Sequence, residues 1–261
     1  MENIMDRVFY EKVGRVGIIS LNMVGDNNRS DPTSYHALNE ALLKVRDDED
    51  VWAIVLQPAP GKKDFSVGAD LNKENFMEIA TQGYGSYLEN DMTTPKPIVC
   101  AIHGWTIGEG FGFMLACDIT IAHPDTKFWL NESQRGIAPV NIPVNLTKKI
   151  GYSNAMAFMV PGDKKDINWA VDVGLIARDN VCQPDEDVRD VALAYATRIT
   201  ELCAPMAIQG VKAAAWETSN GHEDEAITKA LWAKEMTIES KDLQEALDAW
   251  KEGRPAVFKN E

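Results

Sequence analysis

The chain has 261 residues, 45% of them hydrophobic and 25% charged, which supports one large packed domain or two small ones and argues against wholesale disorder. Asp and Glu number 40 against 26 Lys and Arg, so the formal charge is −14 and the surface repels phosphate backbones, which argues against general nucleic-acid binding. No apolar run approaches the roughly 20 residues of a membrane span, and the N-terminal MENIMDRVFYEKVGRV reads as neither a signal nor a transit peptide.

In chain order, residues 15–21 (RVGIISL) predict a mostly buried strand, followed by a polar loop through Pro32. Asp31 is placed to cap the next helix, with Pro32 at its first position. Tyr35, Leu38, Leu42 and Val45 recur at spacings of three and four and define its apolar stripe. Residues 51–57 (VWAIVLQ) are almost unbroken apolar, the pattern of a covered parallel strand. Residues 72–94 are polar without a clear period and read as helical and mobile. Residues 97–103 predict a further buried strand, 111–117 an apolar helix and 118–122 a short strand. This alternation indicates an α/β protein with parallel strands and crossover connections. Beyond about residue 145 the apolar spacing is helical, over 147–160, 166–174, 185–203, 205–219 and 222–250. The organisation expected is an α/β core over 1–195 and a helical C-terminal region over 196–261. Trp232, Met236, Leu243, Leu247 and Trp250 of that region are expected to bury against the core or a neighbour.

Cys100, Cys117, Cys182 and Cys203 are widely spaced and read as reduced thiols of a cytoplasmic protein. The four histidines show no paired metal-ligand spacing, so no metal is expected. His103 and His123 are expected to serve structural hydrogen bonds, and Trp105 and Trp129 to pack in the core or wall a pocket.

Gly108-Glu109-Gly110-Phe111-Gly112 follows a strand and opens a helix, but it is GxGxG, and a glutamate inside it would repel a pyrophosphate. Glycines at a strand-to-helix junction instead let a ligand approach the backbone, where the free N–H groups of the first helical turn can hold an oxyanion. Phe65–Leu71 (FSVGADL) offers a second such turn. Two backbone donors from two strand ends would polarise one carbonyl oxygen.

Phe65-Ser66-Val67-Gly68-Ala69-Asp70-Leu71 resembles the F-x-A-G-A-D-[IL] segment of the crotonase, or enoyl-CoA hydratase/isomerase, superfamily. Ile102-His103-Gly104-Trp105, Gly108–Phe111 and Ala116-Cys117-Asp118 resemble its second signature. Phe128–Glu132 with Gly136-Ile137-Ala138-Pro139 is similar to the third. The three motifs fall in the family's order and span nearly the whole chain.

The resemblance implies a spiral of ββα turns with a C-terminal helical region, assembled as a trimer or a dimer of trimers. It implies an acyl-CoA substrate, coenzyme A being part of the substrate and no separate cofactor being needed. It assigns the oxyanion hole to the N–H groups of Ala69 and Glu109, and it places Ser66, Gly68, Asp70, Leu71, Gly108, Gly112 and Trp129 around the substrate. The loop at Asn28-Arg29 matches the family's coenzyme A loop, although Met23-Val24 stands where Arg-Pro is usual; Arg29 is a candidate phosphate contact.

Two departures bear on the reaction. Typical hydratases carry two glutamates at the reacting carbons; the second matches Glu132, but the first falls on Gly112. The residue supplying the second oxyanion donor, usually glycine, is Glu109. The neighbours Phe128, Trp129, Leu130 and Ile137 would desolvate Glu132 and raise its pKa toward general-acid strength. The Glu109 carboxylate could fill the space vacated at Gly112 or point away from the oxygen its N–H holds; the second is preferred, because a carboxylate beside an enolate opposes the charge.

These features favour hydration of an enoyl-CoA, with or without subsequent cleavage as in feruloyl-CoA hydratase-lyases, on a bulky or cyclic acyl group for which Gly112 would make room. The alternatives are double-bond isomerisation by a single glutamate and a non-catalytic binding protein of the same fold.

Overall fold

The computed structural model describes residues 1–82, 86–90 and 94–261. It opens with β1 (Glu2–Ile4), β2 (Val8–Val13) and β3 (Val16–Leu21), paired antiparallel in succession. The first two strands escape a periodicity reading because β2 buries only Val8 and Tyr10. All six residues of β3 are buried.

Asp31 caps α1 (Pro32–Asp47) as expected: its carboxylate accepts from the Ser34 N–H at 2.8 Å, and the Asp31 N–H donates to the Ser34 hydroxyl at 3.3 Å. Arg7 pairs with the same carboxylate at 2.9 Å. Burial works against ionisation of Asp31, but the bonds from Arg7 and Ser34 outweigh it and hold the carboxyl below the usual range. The stripe of Tyr35, Leu38, Leu42 and Val45 is buried.

β4 (Ala53–Pro58) follows, then α2 (Lys73–Gln82) and α3 (Tyr87–Asn90). The stretch 72–94 is thus helical over 73–82 and 87–90; residues 83–85 and 91–93 lie outside the described residues. β5 (Ile98–Ile102), β6 (Trp105–Ile107), α4 (Glu109–Leu115), β7 (Ile119–Ala122) and β8 (Lys127–Trp129) come next. β6 and β8 have three residues each, too few to show alternation.

The helix expected over 147–160 is two, α5 (Asn141–Ile150) and α6 (Tyr152–Met159), separated by Gly151 at φ 76°. β9 (Lys165–Asp166) and α7 (Ile167–Asp172) precede α8 (Val188–Leu202), α9 (Pro205–Ser219), α10 (Glu223–Glu239) and α11 (Lys241–Glu252). The segment 222–250 breaks at Ser240, whose hydroxyl accepts from the Leu243 N–H at 3.1 Å and caps α11.

The main sheet has the order β1-β2-β3-β4-β5-β7, with β3, β4, β5 and β7 parallel, and a second sheet has the order β6-β8-β9. One face of the main sheet carries the larger core, including α1 and Phe65, Phe111, Phe113, Phe128 and Phe158. The other face packs Val16, Val55, Ala101 and Ile121 against Val188, Ala192 and Ala196 of α8. Position 195/196 lies within that helix, and Lys212 of α9 in turn meets the Lys96 carbonyl at 2.8 Å.

Among the described residues no single helix is long and apolar enough to cross a membrane; α8 and α9 meet at a bend of 113°.

Candidate active site

Two glycine turns meet at the N-terminus of α4. Gly68 has φ 85°, and a Cβ built there would lie 3.0 Å from the Ile107 carbonyl and 3.1 Å from the Glu109 nitrogen. Only glycine therefore lets the 65–71 turn rest against the start of α4. Gly110 makes the same demand from the other side: its Cβ would lie 2.6 Å from the Ser66 carbonyl oxygen. A backbone bond from the Ile107 N–H to that carbonyl, at 2.9 Å, ties β6 to the turn. Ser66 is buried and serves the frame: its hydroxyl donates to the Asn28 carbonyl at 2.7 Å and accepts from the Gly68 N–H at 3.2 Å.

Glu109 is the first residue of α4, so its N–H has no acceptor within the helix. The N–H of Ala69 follows Gly68 directly, on the turn packed against it. The sequence-assigned donors are thereby brought to one place.

Glu132 converges on the same point from the segment after β8. A Cβ on Gly108 would lie 3.0 Å from its Oε1, and Gly108 itself has φ 54°. Burial raises the pKa of Glu132, with a smaller contribution from the negative field of Glu109. Of its expected neighbours, Phe128 and Leu130 are buried.

The space beside Gly112 is occupied, and not by Glu109. A side chain there would overlap the Glu89 carboxylate, whose Cδ would lie 3.1 Å from the added Cβ. Glu89 comes from α3 and is 9% exposed. Burial pushes its pKa well up, and the adjacent, hydrogen-bonded Glu109 pushes it further. The Glu109 carboxylate does not point to solvent: it is half-buried and also holds the hydroxyl of Tyr35, whose pKa is raised by burial and by the two glutamates. Gly112 thus opens no empty room for a bulky acyl group.

Sequence reading missed both Glu89 and the polar role of Tyr35. Tyr35 was legible only as an apolar position on α1. Glu89 lies in the stretch without a period; its one signal was that glycine at position 112 left a carboxylate to be found elsewhere.

The remaining predicted residues are spread around this centre. Asn28, at φ 54° and fully buried, spends its amide on the loop: it accepts from the Met23 N–H at 2.9 Å and donates to the Phe65 carbonyl at 3.0 Å. Arg29 is 45% exposed and lies 3.7 Å from Asp70, which also accepts from Asn75 at 2.9 Å. Leu71 is exposed. Trp129 donates from its indole to the Gly162 carbonyl at 2.7 Å, and the Lys164 ammonium lies 4.7 Å from its ring centre. His103 and His123 meet the carbonyls of Lys62 and Pro184 at 3.0 and 3.2 Å. A cleft of about 440 Å³, lined by Leu88, Leu115, Lys149, Val211, Lys212 and Trp216, lies toward the C-terminal end of α4 rather than at the paired turns.

Residues 11–261 match the family model described as enoyl-CoA hydratase/isomerase. An (E)-benzylidenesuccinyl-CoA hydratase of Thauera aromatica is 30% identical, over 97% of this chain and 98% of its own. A mitochondrial enoyl-CoA hydratase of Pongo abelii is 29% identical, over 97% of this chain and 88% of its own. A probable enoyl-CoA hydratase/isomerase from Mycobacterium abscessus has a similar structure, with TM-score 0.88, 25% identity and coverage of 98% of this chain and all of that one. By that family model over nearly the whole chain and by these relatives, the chain belongs to the enoyl-CoA hydratase/isomerase, or crotonase, family.

Proposed function

We propose that the protein adds water across the double bond of an enoyl-CoA thioester through an enolate. The observation that carries this reading is the convergence at Gly108: the N–H groups of Ala69 and Glu109 on two touching turns, and the Glu132 carboxyl beside them. The two N–H groups form an oxyanion hole for the thioester oxygen, where negative charge develops as water attacks the β-carbon. Burial raises the pKa of Glu132, which suits its carboxyl to deliver the α-proton. Arg29, on the exposed edge of the loop, is the candidate contact for a coenzyme A phosphate. A bulky acyl group is supported by the aromatic substrate in the name of the Thauera relative, not by space at Gly112. Hydration followed by cleavage belongs to the same reading.

The test is a panel of enoyl-CoA thioesters in heavy-oxygen water, read by mass spectrometry. Hydration gives a product heavier by one labelled water; a shifted double bond without label would make the enzyme an isomerase. The thioester should react far faster than the free acid, whose carboxylate already carries the charge that the hole is built to receive. Equal rates would overturn the enolate.

We also propose a homotrimer or a dimer of trimers. Trp232 is 64% and Trp250 80% exposed, and Met236 and Leu247 are exposed too, so this apolar surface is not covered by the chain's own core. Light scattering should give a mass that is a multiple of three protomers of 28.9 kDa. A monomer at micromolar concentration would contradict it. Cytoplasmic residence is proposed on the unpaired thiols Cys100, Cys117 and Cys182, all buried, and the exposed Cys203.

A further inference from the structure

We propose that Glu89, paired with Glu109, is the second acid–base carboxyl of the reaction, reaching from α3 the position that Gly112 leaves without a side chain. The inference rests on the hydration reading above.

Three observations carry it. The Glu89 carboxylate fills the side-chain space of Gly112, a residue of the helix whose first N–H is an oxyanion donor. Glu89 is 9% exposed, so its carboxyl is held in a site that a leucine or methionine would fill without the desolvation cost. Its hydrogen-bond partner is another carboxyl, Glu109, which is anchored in turn by the Tyr35 hydroxyl. Burial first, and then the neighbouring Glu109, favour the protonated form of Glu89. With the proton on Glu89 the pair carries less negative charge, which lessens its opposition to the enolate held at the Glu109 N–H.

The Glu89 proton shifts onto the Glu109 carboxylate, and the freed Glu89 oxygen takes a proton from water. The water oxygen bonds to the β-carbon, and the π electrons move through the α-carbon onto the thioester oxygen, held by the Ala69 and Glu109 N–H groups. The enolate collapses, the α-carbon takes the proton of Glu132, and the thioester carbonyl re-forms. Proton exchange with solvent returns the pair and Glu132 to their starting states.

Transposing the carboxylate tests this. Glu89→Gln keeps the volume and a hydrogen bond to Glu109 but cannot accept the proton; kcat for hydration should fall by about 10²–10⁴-fold with KM little changed. Glu89→Ala should fall as far. Gly112 is helical with an ordinary φ, and beyond the Glu89 carboxyl the nearest atom to a new Cβ is Ile142 at an ordinary 3.5 Å. Adding Gly112→Glu to Glu89→Ala should therefore recover at least about tenfold of the loss, and adding Gly112→Gln should not. Near-parental kcat in Glu89→Gln, or equal recovery by the Gln and Glu additions, would reduce Glu89 to a space filler and overturn the proposal while leaving the hydration reading intact. A parental enzyme that takes up no heavy oxygen from any enoyl-CoA overturns the hydration reading first, and this proposal with it.

Discussion

Glu132→Gln is expected to lower kcat by about 10²–10⁴-fold while the protein stays folded. Its carboxyl lies against Gly108, at the junction that also brings together the N–H groups of Ala69 and Glu109. An amide of the same shape keeps the packing against buried Phe128 and Leu130 but has no proton to give. The stability response runs the opposite way. Burial raises the pKa of Glu132 in the folded chain, so the ionised form opposes folding once the pH passes the ordinary glutamate range. Glutamine removes that penalty, and the melting temperature at pH 8 should hold or rise. For the parental enzyme, the step that needs protonated Glu132 weakens as pH rises through its raised pKa. A kcat profile for hydration should therefore decline on the alkaline side at a pH above the usual carboxylate range. Near-parental turnover in folded Glu132→Gln would show that another group delivers the proton.

Gly110→Ala should damage both activity and stability, although it adds one methyl group and no charge. The added Cβ would lie 2.6 Å from the Ser66 carbonyl oxygen and equally close to the Ser66 Cβ. The carbonyl cannot swing aside freely, because it accepts the Ile107 N–H at 2.9 Å. Relief must come from parting the 65–71 turn from α4. Those two segments carry the two proposed oxyanion donors, so the spacing of those donors changes with the methyl group. Loss of one such donor lowers kcat by about 10²–10³-fold, and that is the scale expected here. Overpacking of this kind costs about 1–3 kcal/mol of stability. Kinetics on the enoyl-CoA together with a thermal melt check both effects. An unchanged kcat at an unchanged melting temperature would mean that the two turns are not held at a fixed distance.

Much of this protein is legible in one dimension. Asp31 before Pro32 predicts the start of α1, because a cap depends on neighbours within three residues. The mostly apolar run at β3 and the almost unbroken one at β4 predict buried strands, and both are buried throughout. Gly68 and Gly108 predict close backbone approach, and both have positive φ at the point of contact. Glu132 is legible because its motif travels with it. These features share a cause: the residues that determine them are adjacent in the chain.

Tertiary structure decided the rest. Whether Gly112 leaves a vacancy could not be read at position 112, since what fills it arrives from Glu89, 23 residues earlier and on a different helix. Nothing periodic surrounds Glu89, so neither its burial nor its partner was visible. The direction of the Glu109 carboxylate was likewise open, because a first-turn side chain can face solvent or pocket. It turns inward because Tyr35 and Glu89 offer hydrogen bonds there. Periodicity and motif report local geometry, whereas the meeting of three glutamates at one helix start depends on how α1, α3, α4 and the segment after β8 pack. That arrangement exists only once the chain has folded.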